Sequence, residues 1–183
     1  MNAKQFFKIR LYITALLAIS IWTLLAWNHF HGGIPSHHIL ADEELPAFSN
    51  GWGALLLPML TWFLLYRIHK SVFGSKPGAS QPPKILLNKL YGFTASLVFG
   101  ILLSVFFTLA YTQLCGYMLL GLLPLGIFFP IYRPEYLLGF VLGMTFTFGA
   151  VLPTGIGIII GMLAFGLFVS LRYIIHFLRL KSA

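Results

Sequence analysis

The sequence predicts an all-α fold: a polytopic membrane helix bundle of about six transmembrane helices with both termini cytoplasmic. Three observations predict it. The chain is 58% hydrophobic and only 9% charged, where a water-soluble domain carries about a quarter charged residues. Its apolar residues gather into six stretches of about 16 to 23 residues, long enough to cross a hydrocarbon core as helices or nearly so. When these stretches are threaded alternately, all 12 Lys and Arg residues fall on one side, as expected where positive residues are held on the cytoplasmic face.

The first stretch, Leu11 to Trp27, follows Lys4, Lys8 and Arg10, which places the N-terminus inside. No small-x-small cleavage signal follows it, so a retained span is expected rather than a signal peptide. The second, Gly51 to Arg67, returns to a cytoplasmic loop expected at about residues 68–89, where Gly74 to Lys84 is rich in Gly, Ser, Pro and Lys and reads as a flexible linker. The third, Leu90 to Thr112, repeats small residues every fourth position: Gly92, Ser96, Gly100, Ser104, Thr108 and Thr112. Such a series lets helix backbones approach closely, so this helix is expected at the centre of the bundle.

The fourth and fifth, Gly116 to Ile131 and Tyr136 to Leu152, flank Arg133, Pro134 and Glu135. Two full spans joined by a tight cytoplasmic turn are expected here rather than a re-entrant hairpin, which would bury Arg133 and Glu135 at membrane depth. The sixth, Gly155 to Tyr173, leads into a basic tail with Arg172, Arg179 and Lys181. Pro58, Pro124 and Pro153 each follow a pair of apolar residues and are expected to kink their helices. The whole of residues 1–183 reads as a single integral-membrane domain.

Several chemistries are disfavoured. Cys115 is the one cysteine, so the chain can form neither an internal disulfide nor a thiolate cluster. The six stretches hold no His and no charged residue away from their inner ends, which argues against an intramembrane proton relay or a bis-His haem. His69 and His176 are expected as solvated residues of the inner surface. The net charge of +8 points to anionic lipid headgroups on the cytoplasmic side, and no nucleic-acid motif accompanies it.

Chemistry-bearing residues concentrate instead in the outside loop at about residues 28–50. Four of the six His and three of the four acidic residues lie between His29 and Glu44. Imidazole and carboxylate are ligands for zinc, iron, copper, nickel or manganese, so His29, His31, His37, His38 and Asp42 are the candidate metal ligands. Gly32 and Gly33 can reverse the chain. If Ser36 capped a short helix, His38 and Asp42 would lie one turn apart. No His-Glu-x-x-His or Gly-x-Ser-x-Gly motif is present, so the sequence assigns no reaction and leaves open whether the protein is an enzyme.

Three roles fit these features. The loop could bind a divalent transition metal at the membrane surface for binding or metal-dependent chemistry. The protein could be a small-solute channel or transporter with a pH-responsive outer loop, acting as a homo-oligomer. It could serve as an accessory subunit beside a membrane-protein partner in a larger complex. A bacterial cytoplasmic (inner) membrane is the expected location.

Overall fold

A computed structural model describes residues 2–38, 44, 46–74 and 82–181, with residues 174–181 described in the backbone only. Among them six α-helices account for nearly the whole structure: α1 (Ala3–Phe30), α2 (Gly53–Phe73), α3 (Pro82–Thr108), α4 (Thr112–Phe128), α5 (Pro134–Phe148) and α6 (Val151–Lys181). A short β-ribbon, β1 (Ser36–His38) with β2 (Ala47–Ser49), and a single 3₁₀ turn at Asn50–Trp52 join α1 to α2. Four helical segments are long and apolar enough to cross a membrane: Ala3–Phe30, Asn50–Phe73, Pro83–Thr108 and Val151–Tyr173. The chain is built as an integral membrane protein. Large apolar residues such as Leu16, Met59, Leu120 and Phe146 point outward, where a bilayer replaces water as their solvent.

Each helix begins and ends for local reasons. Asn2 and Gln5 form a reciprocal capping box at the start of α1, satisfying two backbone N–H groups that a helix start leaves open. Pro134 opens α5 from its first position, where the missing N–H costs no bond. Between α3 and α4 the chain turns at Leu109–Tyr111, with Ala110 at a φ of 62°. The expected third span is therefore divided, and Thr112 belongs to α4 rather than to the small-residue series of α3. Pro58 and Pro124 lie inside α2 and α4. Pro153 lies in the first turn of α6, where proline fits without a kink. The linker expected at residues 68–89 is shorter, since α2 runs to Phe73 and α3 starts at Pro82; residues 75–81 lie outside the described residues.

The helices alternate in direction. Phe6 stacks on His69 with ring centroids 5.4 Å apart, and Trp22 Nε1 donates to the Ala54 carbonyl at 2.9 Å, so α1 and α2 run antiparallel. Replacing Trp22 with Phe keeps the ring and removes that bond. A loss of about 1 kcal/mol is expected in detergent unfolding.

α3 and α5 run parallel in the closest helix contact of the molecule. Gly92 meets Tyr136, Gly100 meets Phe140 and Gly143, Ser104 Oγ donates to the Gly143 carbonyl at 3.3 Å, and Phe107 packs edge-on against Phe148. A methyl added to Gly143 would lie 2.6 Å from the Leu97 carbonyl oxygen, so only glycine permits this approach. The small-residue stripe is thus consumed in packing within one chain. α5, flanked by α2, α3 and α6, shares the central position expected for α3 alone. Its buried face carries Leu138, Phe140, Val141 and Met144.

α4 and α5 have 17 and 15 residues, about 25 and 22 Å of helix, yet both run between the two ends of the bundle. Near the outer end, the Cys115 thiol of α4 lies 3.6 Å from the Leu103 carbonyl of α3. Near the inner end, Leu125 and Phe129 share a cavity with Asn88 and Tyr91. α4 leans chiefly on α6 and α5 on α3, an arrangement of two separate traverses rather than a hairpin folded on itself. The start of α1 and the end of α6 lie at the end of the bundle where the described Lys and Arg residues gather; the His-bearing ribbon lies at the other.

Candidate functional site

The outer loop is a ribbon. Ser36 pairs with Ser49, His37 with Phe48 and His38 with Ala47, in antiparallel register. Ser36 therefore starts a strand rather than capping a short helix: Ser36–His38 finds its backbone partners across the ribbon instead of four residues along the chain. Gly32 and Gly33, both at positive φ, let the chain leave α1, and Gly33 N–H donates to the Asn28 carbonyl at 2.8 Å. Asn50 N–H closes the ribbon on the Pro35 carbonyl at 2.9 Å.

The candidate ligands are dispersed among these elements. His31 stacks on Trp27 with centroids 3.8 Å apart, and its Nδ1 lies 2.9 Å from the Trp27 carbonyl, so one ring nitrogen is already occupied by the helix end. His29 meets Phe30 edge-on. His38 is half-buried in β1, and for His37 only the backbone is described. Asp42 lies outside the described residues. Among the described residues, no group of three or more His, Cys, Asp and Glu converges as metal ligands would.

The inner end holds charges that were expected in solvent. Glu135, at the first turn of α5, is 2% exposed. Both of its carboxylate oxygens accept from Lys89 Nζ of α3 at 3.1 Å. A carboxylate removed from water must be matched by a cation and by hydrogen bonds, and Lys89 supplies both. Arg10 is likewise buried, with its guanidinium 3.4 Å from the centre of the Trp62 ring and flanked by Tyr66 and Phe7, a stacked cation–π arrangement. His69 sits between Phe6 and Phe73 rather than in solvent.

Two neighbouring cavities lie at this end of the bundle, and the Lys89–Glu135 pair lines one of them. One, of about 540 Å³, lies between α3, α4, α5 and α6 and is almost wholly apolar; Ala95, Phe99, Leu122, Leu137, Phe140 and Ile160 contribute to its wall. Its volume falls within the range of about 300–1,000 Å³ common for small-ligand sites. The exposed Tyr91 also lines it. The other, of about 620 Å³, is of mixed polarity and includes Arg67, Ser71, Lys89, Arg133 and Glu135. Asn88 and Tyr136 line both, so the two cavities are neighbours across these side chains.

This arrangement was only partly signalled by the residues. Glu135 is the sole acidic residue on the basic side of the threaded sequence, which marks it for pairing. Its partner, 46 positions away, follows from the parallel packing of α3 and α5. Neither the family models nor the curated proteins nor the solved structures compared with this chain give a match.

Proposed function

We propose that this protein binds an amphiphile from within a bacterial cytoplasmic membrane, taking its apolar chain into the cavity between α3, α4, α5 and α6. The supporting observation is the adjacency of two unlike spaces: an apolar cavity and a cation-lined one share Asn88 and Tyr136. Apolar surface facing the first gains by contact with a hydrocarbon chain, and the second keeps a polar head hydrated or paired. The cation-bearing end would face the cytoplasm under the positive-inside rule, placing the cation-lined cavity at the inner leaflet.

Photocrosslinking in lipid nanodiscs tests this reading, with a diazirine-bearing palmitate as probe. Adducts are expected on α3 between Tyr91 and Phe99 and on α6 between Gly157 and Gly161. Ala95→Trp and Gly161→Phe each fill the cavity from one wall. Ala95 is exposed, and a Cβ at Gly161 would meet only the Tyr132 Cα, at 3.7 Å, so both variants should fold and should reduce these adducts to background. Adducts spread evenly over outward residues such as Leu16, Met59 and Phe146, unchanged in the filled variants, would reject the proposal.

A further inference from the structure

We infer that the cation-lined cavity is a headgroup site for an anionic amphiphile bearing a phosphate, with Arg67 and Arg133 as the residues that recognise it. The inference rests on the amphiphile-binding reading and adds the class of the bound molecule. Three cations, Arg67, Lys89 and Arg133, line a space that holds a single carboxylate, Glu135. Lys89 is committed to Glu135 through both of its oxygens. Arg67 and Arg133 are exposed side chains with no carboxylate partner among the described residues. Arg67 comes from α2 and Arg133 from the turn before α5, so two guanidinium groups reach one space from separate elements.

Guanidinium groups match phosphate better than ammonium does, because their planar fork donates two parallel hydrogen bonds to two oxygens. The start of α5 also adds partial positive charge there. Glu135 disfavors an anion close to Lys89, which directs the headgroup to the arginine side. Zwitterionic headgroups would bring a cation into the same crowded positive space. The apolar cavity beyond Asn88 and Tyr136 distinguishes a lipid from a free anion: the phosphate would remain on the arginine side while one chain enters that 540 Å³ space.

The test compares binding of dioleoyl phosphatidate and dioleoyl phosphatidylcholine to the detergent-purified full chain, by native mass spectrometry and thermal unfolding. Inorganic phosphate and oleate form separate arms. Removing two surface-proximal cations acts on the order of 1 kcal/mol each, so the preference for phosphatidate should be about tenfold or more and should fall to near parity in Arg67→Gln, Arg133→Gln. Lys4→Gln, Lys8→Gln removes the same charge from exposed positions at the same end and should keep the preference.

An unchanged preference in the arginine variant would overturn the inference. So would an equal loss in the lysine variant, which would reduce the effect to general surface charge. Inorganic phosphate binding as tightly as phosphatidate would assign the cavity to a free anion instead of a lipid, and oleate equal to phosphatidate would remove the phosphate from the proposal. If both lipids bind equally and Ala95→Trp blocks both, the headgroup assignment fails while amphiphile binding stands. If Ala95→Trp blocks neither, the amphiphile reading fails too.

Discussion

Replacing Glu135 with Ala is expected to destabilise the bundle by about 3–5 kcal/mol, because it leaves the Lys89 ammonium in a partly enclosed site without its counter-charge. The two side chains are 11% and 3% exposed, and both carboxylate oxygens are engaged. Surface ion pairs contribute about 0–1 kcal/mol, but this one is buried between α3 and the start of α5. Lys89→Met with Glu135→Leu should recover most of the loss, since replacing both partners removes the buried charge along with the bond. Denaturant unfolding in micelles, followed by tryptophan fluorescence, measures each variant. Equal stability of Glu135→Ala and the parent would mean that Lys89 reaches water freely and that the pair does not hold the helices.

The second large effect is expected at Gly139. A Cβ there would overlap the Phe93 carbonyl and the Ser96 hydroxyl and would lie 2.9 Å from the Leu97 backbone nitrogen. Two of those three atoms belong to the α3 backbone, which cannot rotate away as a side chain can. Gly139→Ala should therefore cost about 1–3 kcal/mol or more by overpacking, and Gly139→Leu should leave little folded protein in the membrane fraction. Gly166→Ala is the matched control, because nothing lies within 4 Å of a Cβ at that position of α6. It should be neutral or stabilising by up to about 1 kcal/mol, through the helix preference of Ala over Gly. Similar losses at both positions would attribute the effect to glycine replacement in general and not to the α3–α5 seam.

These effects lie at positions that the residue pattern marked unequally. Gly139 and Gly143 stand four residues apart in the chain, about one helical turn, and their role in close packing follows from size alone. Glu135 is legible as an isolated acid among cations, beside the tight turn expected at Arg133 and Pro134. Its actual partner is on another helix, where no local periodicity points to it. His69 is expected on the solvated inner surface; the packing of α1 against α2 encloses it, and Arg10 with it, among aromatic rings instead. Their chemistry permits both environments, and burial is a property of the neighbouring helix.

The outer loop presents the converse case. Its density of His and acidic residues drew attention as a ligand cluster, but composition does not specify distance. Trp27 and its carbonyl engage His31, and the Ser36–His38 strand follows a ribbon register. Among the described residues no three of these side chains converge as metal ligands would.

The sequence by itself determined that the chain is all helical and suited to a bilayer, and that its basic residues share one end. These properties depend on sums over many residues: apolar length against hydrocarbon thickness, charge against alternating direction, side-chain volume against backbone approach. Only the tertiary structure decided that α5 joins α3 at the centre, that Lys89 neutralises Glu135, and that an apolar and a cation-lined cavity share Asn88 and Tyr136. Each of these depends on which helices become neighbours and at what height, and the burial of one charge or the opening of one cavity is settled by contacts between residues far apart along the chain.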